Sequence, residues 1–185
     1  MPWTSKYAAK FTKPLVRQLL AIIKRDIRAA LDYVAGPNVL PVFVSYHRSK
    51  SAIVQFPGIL VAGHDVAFDE EAVGTEHMSP ARLAVVVAAA HQSPDILSEL
   101  VEDYVRAVHA ILVSAWELTP QDFQATNIPL PSPPFASGEK SPGVAAGALK
   151  NLWIPGHILS DVLQTPDRGM IMSGTITVVA EVEEG

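Results

Sequence analysis

The side chains of this 185-residue chain that could do chemistry are six histidines and a run of carboxylates. His47, His64, His77, His91, His109 and His157 include no pair at the i, i+4 spacing of a helical zinc site, and no H-E-x-x-H occurs. His64-Asp65 and Glu76-His77 bracket a segment that also holds Asp69, Glu70 and Glu71. A metal ion or general acid–base work could use such a set, although neighbouring acids on a solvated loop ordinarily just repel one another. There is no G-x-S-x-G elbow: Gly169–Gly174 (GMIMSG) resembles one loosely but runs into a strand pattern instead of a helix. Phosphate loops of the G-x-x-x-x-G-K-[ST] and G-x-G-x-x-G types are absent as well. With no cysteine, disulfides, thiolate catalysis and cysteine zinc sites are excluded. The expectation is a chain without metal, cofactor or catalytic residues.

Charge is distributed unevenly. Residues 1–36 hold Lys6, Lys10, Lys13, Arg17, Lys24, Arg25 and Arg28 against Asp26 and Asp32. Residues 65–122 hold eleven acids against Arg82 and Arg106. Two ordinary solvated faces would account for this. So would self-association of a basic end with an acidic middle, as in a head-to-tail ring. The basic segment could also touch nucleic acid.

The elements that must position these residues follow from periodicity. Lys13–Val34 reads as a helix, with Leu15, Leu19, Ile23, Ile27, Leu31 and Val34 on one stripe and Arg17, Lys24, Arg25 and Arg28 off it. Gly36-Pro37 ends it. Val39–Tyr46 and Ala52–Ala62 read as an antiparallel hairpin, the second strand interrupted at Pro57-Gly58. Gly63–Pro80 reads as a long acidic loop carrying Asp65, Asp69, Glu70, Glu71 and Glu76.

The chain's organising stretch comes next. Ala81–Ala90 is apolar on both faces, as expected for a strand covered on both sides. Ser93-Pro94-Asp95 then opens an amphipathic helix to Leu118. Thr119–Gly169 is rich in proline, including Pro129, Pro131, Pro133 and Pro134 beside Phe135, and is expected to be an irregular arm with one helical turn near Gly156–Leu163. Met170–Glu183 alternates as a strand. The prediction is a single α+β domain over residues 1–185, with its core at about 13–118 and 170–183. About four strands form a mixed or antiparallel sheet flanked by two long helices. No apolar run reaches the roughly 18 residues of a membrane span, and Met1–Lys6 lacks the order of a signal peptide.

This order of elements resembles the tail terminator (tail completion) proteins of tailed bacteriophages, related prophages and gene-transfer agents. The local text that carries the resemblance is Glu71-Ala72-Val73-Gly74-Thr75-Glu76 leading into Ala81–Ala89, followed by the helix opened by Ser93-Pro94-Asp95-Ile96-Leu97. The similarity covers roughly residues 13–118 and 170–183, while Thr119–Gly169 departs from it in length and proline content.

The resemblance implies a structural virion protein that forms a homo-oligomeric ring, commonly a hexamer. Such a ring caps the tail tube, ends its growth, joins it to head and neck proteins, and passes DNA through its lumen. It would sit at the tail–neck junction, after assembly in the host cytoplasm, without membrane contact. Asp65, Asp69, Glu70, Glu71 and Glu76 are then candidates for the lumen, and Arg17, Lys24, Arg25 and Arg28 for the contact with the next subunit. Pro129, Pro131, Pro133, Pro134 and Phe135 are candidates for a partner-contact arm. Another neck or tube-like connector is the nearest alternative. A small metal-dependent or hydrolytic enzyme using residues 64–77 is the alternative from a different class.

Overall fold

The computed structural model describes residues 9–48, 53, 55–66, 77–118, 149–165 and 169–184. The chain runs α1 (Ala9–Ala35), β1 (Ser45–His47), β2 (Gly58–Val66), β3 (His77–His91), α2 (Pro94–Leu118), β4 (Leu149–Leu159), β5 (Leu163–Thr165) and β6 (Gly169–Glu184). The class is the α+β fold expected from the sequence. Among the described residues the sheet has six strands in the order β1-β2-β3-β6-β4, with β5 also alongside β6. Of these the β1–β2 pair is parallel, and β2–β3, β3–β6, β4–β6 and β5–β6 are antiparallel.

The centre of the sheet is the long ladder between β3 and β6, which runs from His77 opposite Glu184 to His91 opposite Met170. Its alternation sorts side chains by face. Leu83, Val85, Val87 and Ala89 on β3, and Met172, Ile176, Val178 and Ala180 on β6, are buried toward the helices. Ile59 and Val61 continue this layer on β2. From α1, Leu15, Leu19, Ile23, Ile27 and Leu31 enter the same core, as Leu97, Val101, Tyr104, Val108 and Leu112 do from α2. The helices pack on each other and both touch β3, so they lie on one face of the sheet.

Four expectations need correction. First, the hairpin of Val39–Tyr46 with Ala52–Ala62 does not form. Pro41 interrupts the first run, and only Ser45–His47 enters the sheet, paired parallel to Gly58–Leu60. Ser45 Oγ donates to Gln55 O at 2.8 Å, and Val44 N donates to Pro57 O at 2.8 Å, so side chain and loop supply what a hairpin ladder would have. Second, β3 is not covered on both sides among the described residues. Ala62, Ala88 and Val179 on the helix-free face are nonetheless buried, because short side chains are shielded by the neighbouring strands.

Third, the long acidic loop is shorter than expected at both ends: residues 63–66 belong to β2 and 77–80 to β3. Fourth, residues 149–159 and 163–165 of the expected arm form β4 and β5, so the stretch from Gly156 to Leu163 is strand at both ends with a short connection between, and holds no helical turn. Proline is compatible with this because β4 is an edge strand: Pro155 lies in the register break between Trp153 and Gly156.

Gly174 fixes how closely α2 can approach. A Cβ there would stand 2.4 Å from Val105 Cγ2 and 3.3 Å from Val101 Cγ1, both on α2, and 3.2 Å from Leu159 Cδ2 on β4. Both valines are buried, and a β-branched side chain in a helix strongly prefers one rotamer, so even one methyl presses on the helix. Gly174→Ala is expected to cost about 2 kcal/mol and to lower Tm by about 4–8 °C in thermal unfolding. A melting curve matching wild type would show that α2 does not rest on β6 at this point.

Candidate functional site

The basic residues singled out in the sequence separate into two groups on α1. Arg17, Lys24 and Arg28 share a side of the helix, by the steps of seven and four between them. Arg25 lies about 100° away from Lys24 and pairs with Asp26 through two contacts of 2.8 Å. Arg28 donates from Nη1 to Leu40 O at 3.0 Å and to Asp32 Oδ1 at 3.3 Å. It therefore ties the end of α1 to the segment that follows. Lys24 Nζ stands 4.8 Å from the centroid of the Tyr46 ring, in cation–π reach.

Lys24 and Arg28 flank an open cleft of about 290 Å³ between α1 and residues 42–46. Ile27, Val42, Phe43, Val44 and Tyr46 complete its lining. Its floor is an aromatic cluster. Phe43 is buried, 5.0 Å from the Tyr104 ring and 6.1 Å from Tyr46, the latter edge-on. Tyr104 Oη donates to Pro41 O at 2.7 Å and so pins residues 39–46 to α2. Burial pushes the Tyr46 hydroxyl up to about 12. Burial also raises Tyr104 well above the ordinary phenol range, with the Arg28 cation pulling the other way. Both hydroxyls stay protonated near neutrality. The cleft thus has an apolar floor and a cationic rim, which suits an apolar side chain accompanied by a carboxylate. Nothing in the sequence marks this cleft apart from the alternation of Val42, Phe43, Val44 and Tyr46, which reads equally as strand.

Of the candidate acids, Asp65 is the one among the described residues, near the far end of β2. Asp65 lies opposite Arg82, just past a register shift at residues 63–65. Asp69, Glu70, Glu71 and Glu76 lie outside the described residues. The ladder adds acids that the loop reading missed, because it brings Glu181, Glu183 and Glu184 opposite Pro80, Met78 and His77. The signal was present in the acidic close of the last strand, but its location depends on register. The cleft lies at the start of β2, where Tyr46 is opposite Ile59, and Asp65 lies six positions further along. Opposite charges therefore sit roughly 20 Å apart along the strand direction.

Of the residues of the metal or hydrolase alternative, 67–76 lie outside the described residues. Asp65 is in register with Arg82, whereas His77 is five residues away along β3, roughly 17 Å. Among the described residues no group of three His, Asp or Glu side chains could hold a metal ion. His91 Nδ1 accepts from Ser93 N at 3.0 Å and helps turn the chain into α2. Pro129, Pro131, Pro133, Pro134 and Phe135 lie outside the described residues.

A second surface was not legible in the sequence. Trp153, Ile158 and Leu163 are in register with Val179, Thr175 and Ile171 of β6. Successive partners are four residues apart on one strand, so all three belong to the helix-free face of the sheet's outer edge. Ile158 is 74% exposed and Leu163 64%. The register shift in β4 and the break before β5 put these residues on one line, and sequence spacing alone does not reveal it.

No family model matches the chain. No curated protein matches it either. Among solved structures 23 chains match. One belongs to a structure titled "Virion of native gene transfer agent (GTA) particle"; it is 12% identical, with a TM-score of 0.46, over 95% of this chain and 96% of that one. No helix among the described residues is long and apolar enough to cross a membrane.

The tyrosine pair has a pH signature. Each hydroxyl holds its proton to higher pH in the folded state than in the unfolded chain. Stability is therefore full below about pH 10 and falls as pH rises through the window up to the folded-state values. Thermal melts across that range, followed alongside tyrosinate absorbance, should show the fall. Tyr104→Phe should cost about 1 kcal/mol at neutral pH and make the alkaline fall shallower. An alkaline slope identical to wild type in that variant would remove Tyr104 as its source.

Proposed function

We propose that this chain is a non-enzymatic structural protein of a phage-like virion. It assembles into a homo-oligomeric ring, in the manner of tail terminators, that closes the end of a tail tube and joins it to head and neck proteins. The observation that carries the reading is the polarity of the subunit. A cationic, apolar-floored cleft beside β1 and an acidic strand end at the other end of β2 give one subunit separate surfaces for a neighbour and for a lumen. The family resemblance supplies the role, and the element order that carried it holds in its helix, central strand, helix and final strand.

The mechanism is steric. One face of the ring pairs with the last tube ring, and the other does not reproduce the tube's templating surface, so growth stops there. The acidic strand end, with Asp65, Asp69, Glu70, Glu71 and Glu76, lines the passage for DNA. Its negative charge repels phosphates and keeps the nucleic acid from sticking.

Native mass measurement and electron microscopy of the purified chain test this reading. The expected result is a closed ring, a hexamer in the form the resemblance implies, that halts tube polymerisation when mixed with the tube subunit. A stable monomer at concentrations where tubes assemble would refute it. Replacing Asp69, Glu70 and Glu71 with Asn and Gln should leave ring formation intact and impair DNA delivery; unchanged delivery would take the loop out of the lumen.

A further inference from the structure

We infer that the ring contact is made by two different edges of the sheet. The apolar stripe on β4 and β5 of one subunit (Trp153, Ile158 and Leu163) docks on the β1-side cleft of the next copy, between Lys24, Arg28, Phe43 and Val44. This inference rests on the ring reading above and names the surfaces that would build the ring.

The first support is where the chain leaves large apolar side chains uncovered. Trp153, Ile158, Val162 and Leu163 stand exposed along the β4–β5 edge, while Val39 and Val44 stand exposed in the segment leading into β1. These are the two edges of one sheet, four strand spacings apart, or roughly 19 Å. Exposed aliphatic residues in small contiguous groups mark interaction surfaces more than singly scattered ones do. Two such groups on opposite edges cannot meet within one subunit, but they can meet between copies. A contact between unlike patches is heterologous: repeated, it closes into a ring or runs on as a filament.

The second support is complementarity. The cleft presents an apolar floor and has room for a leucine-sized side chain, and its rim carries two cations. On the other edge the exposed side chains stand proud of the sheet. The one carboxylate among the described side chains there, Asp161, is exposed immediately before Val162 and Leu163. Apolar group meets apolar floor, and the carboxylate approaches a rim that carries Lys24 and Arg28, the latter also paired with Asp32, which favours one direction of docking. The third support is the bare strand edge. On their outer side β4 and β5 pair with no strand among the described residues, an edge of the kind that a neighbouring copy can cover.

The chain has no cysteine, which allows a direct test by disulfide trapping on the full-length protein. Val44→Cys is combined with Ile158→Cys, and separately with Leu163→Cys; all three positions are exposed, so the fold is expected to survive. Oxidation of the assembled double variants should give a ladder of covalent multimers up to the full ring, while each single-cysteine variant gives none. As a second readout, Val44→Glu and the double variant Ile158→Glu/Leu163→Glu should each self-associate roughly thirtyfold more weakly or worse. Mixed in equal amounts, they should form a 1:1 dimer through the one pair of edges left intact. Circular dichroism confirms that each variant is folded. If wild type assembles but neither cysteine pair cross-links, or a single-cysteine variant forms dimers by itself, the edge assignment is overturned and the ring reading stands. If wild type itself remains monomeric, the ring reading falls and takes this inference with it.

Discussion

The antiparallel ladder between β3 and β6 is the constraint on which the rest of the structure depends. It joins strands far apart in sequence, from His77 opposite Glu184 to His91 opposite Met170. Closing that ladder places the last strand in the middle of the sheet instead of at its margin, which sends β4 and β5 to the edge. It aligns Leu83, Val85, Val87 and Ala89 with Val178, Ile176, Gly174 and Met172, giving α2 one continuous bed. Gly174 then sets the height at which α2 rides, because any side chain there would meet Val105. A one-residue slip would exchange the two faces, turning threonines toward the helices and valines away from them. The register is therefore held by burial along its whole central part.

From this bed a second set of contacts follows. Tyr104 emerges from α2 at the height fixed by the ladder, and its hydroxyl reaches Pro41 O at 2.7 Å. Phe43 packs between Tyr104 and Tyr46. Arg28 reaches across from α1 to Leu40 O. The segment of residues 39–46 is thereby held by both helices, and the cleft beside Lys24 is the space left between it and α1. The cleft is thus a consequence of how α2 is seated, and its rigidity comes from buried aromatic contacts instead of strand pairing.

How much of this was legible follows from how local each feature is. The two helices, with their Leu/Ile stripes and the Ser93-Pro94 start, depend on neighbours three and four residues away, and periodicity finds them. The β3 and β6 strands declare themselves by run and alternation. The direction of β1 against β2 was not legible, because Pro41 and Pro57 state where pairing fails without stating what replaces it. The strands within 149–165 were hidden by Pro155 and Gly156, which count against regular structure unless the strand is known to be at an edge. The candidate surfaces were harder still. The charge segregation was visible in the sequence, but the pairing of Glu181, Glu183 and Glu184 with Pro80, Met78 and His77 depends on register. The line of Trp153, Ile158 and Leu163 depends on a bulge and a break that no spacing rule anticipates.

The arrangement separates two kinds of surface by direction. Charge varies along the strands, from Lys24 and Arg28 near the start of β2 to Asp65 and the carboxylates at the close of β6. Exposed apolar character varies across the strands, from Val44 beside β1 to Ile158 and Leu163 on the opposite edge. In a ring those two directions do different work. Contacts between copies must repeat around the circumference and withstand salt, which favours apolar groups removed from water. Contacts with a polyanion in the lumen must repel at a distance and hold nothing, which favours solvated charge. Among the described residues both helices lie on one face of the sheet and β1 and β4 each pair on one side only, so the two kinds of surface stay apart. On this view the one-sided core is the feature that frees four margins of a single sheet for assembly.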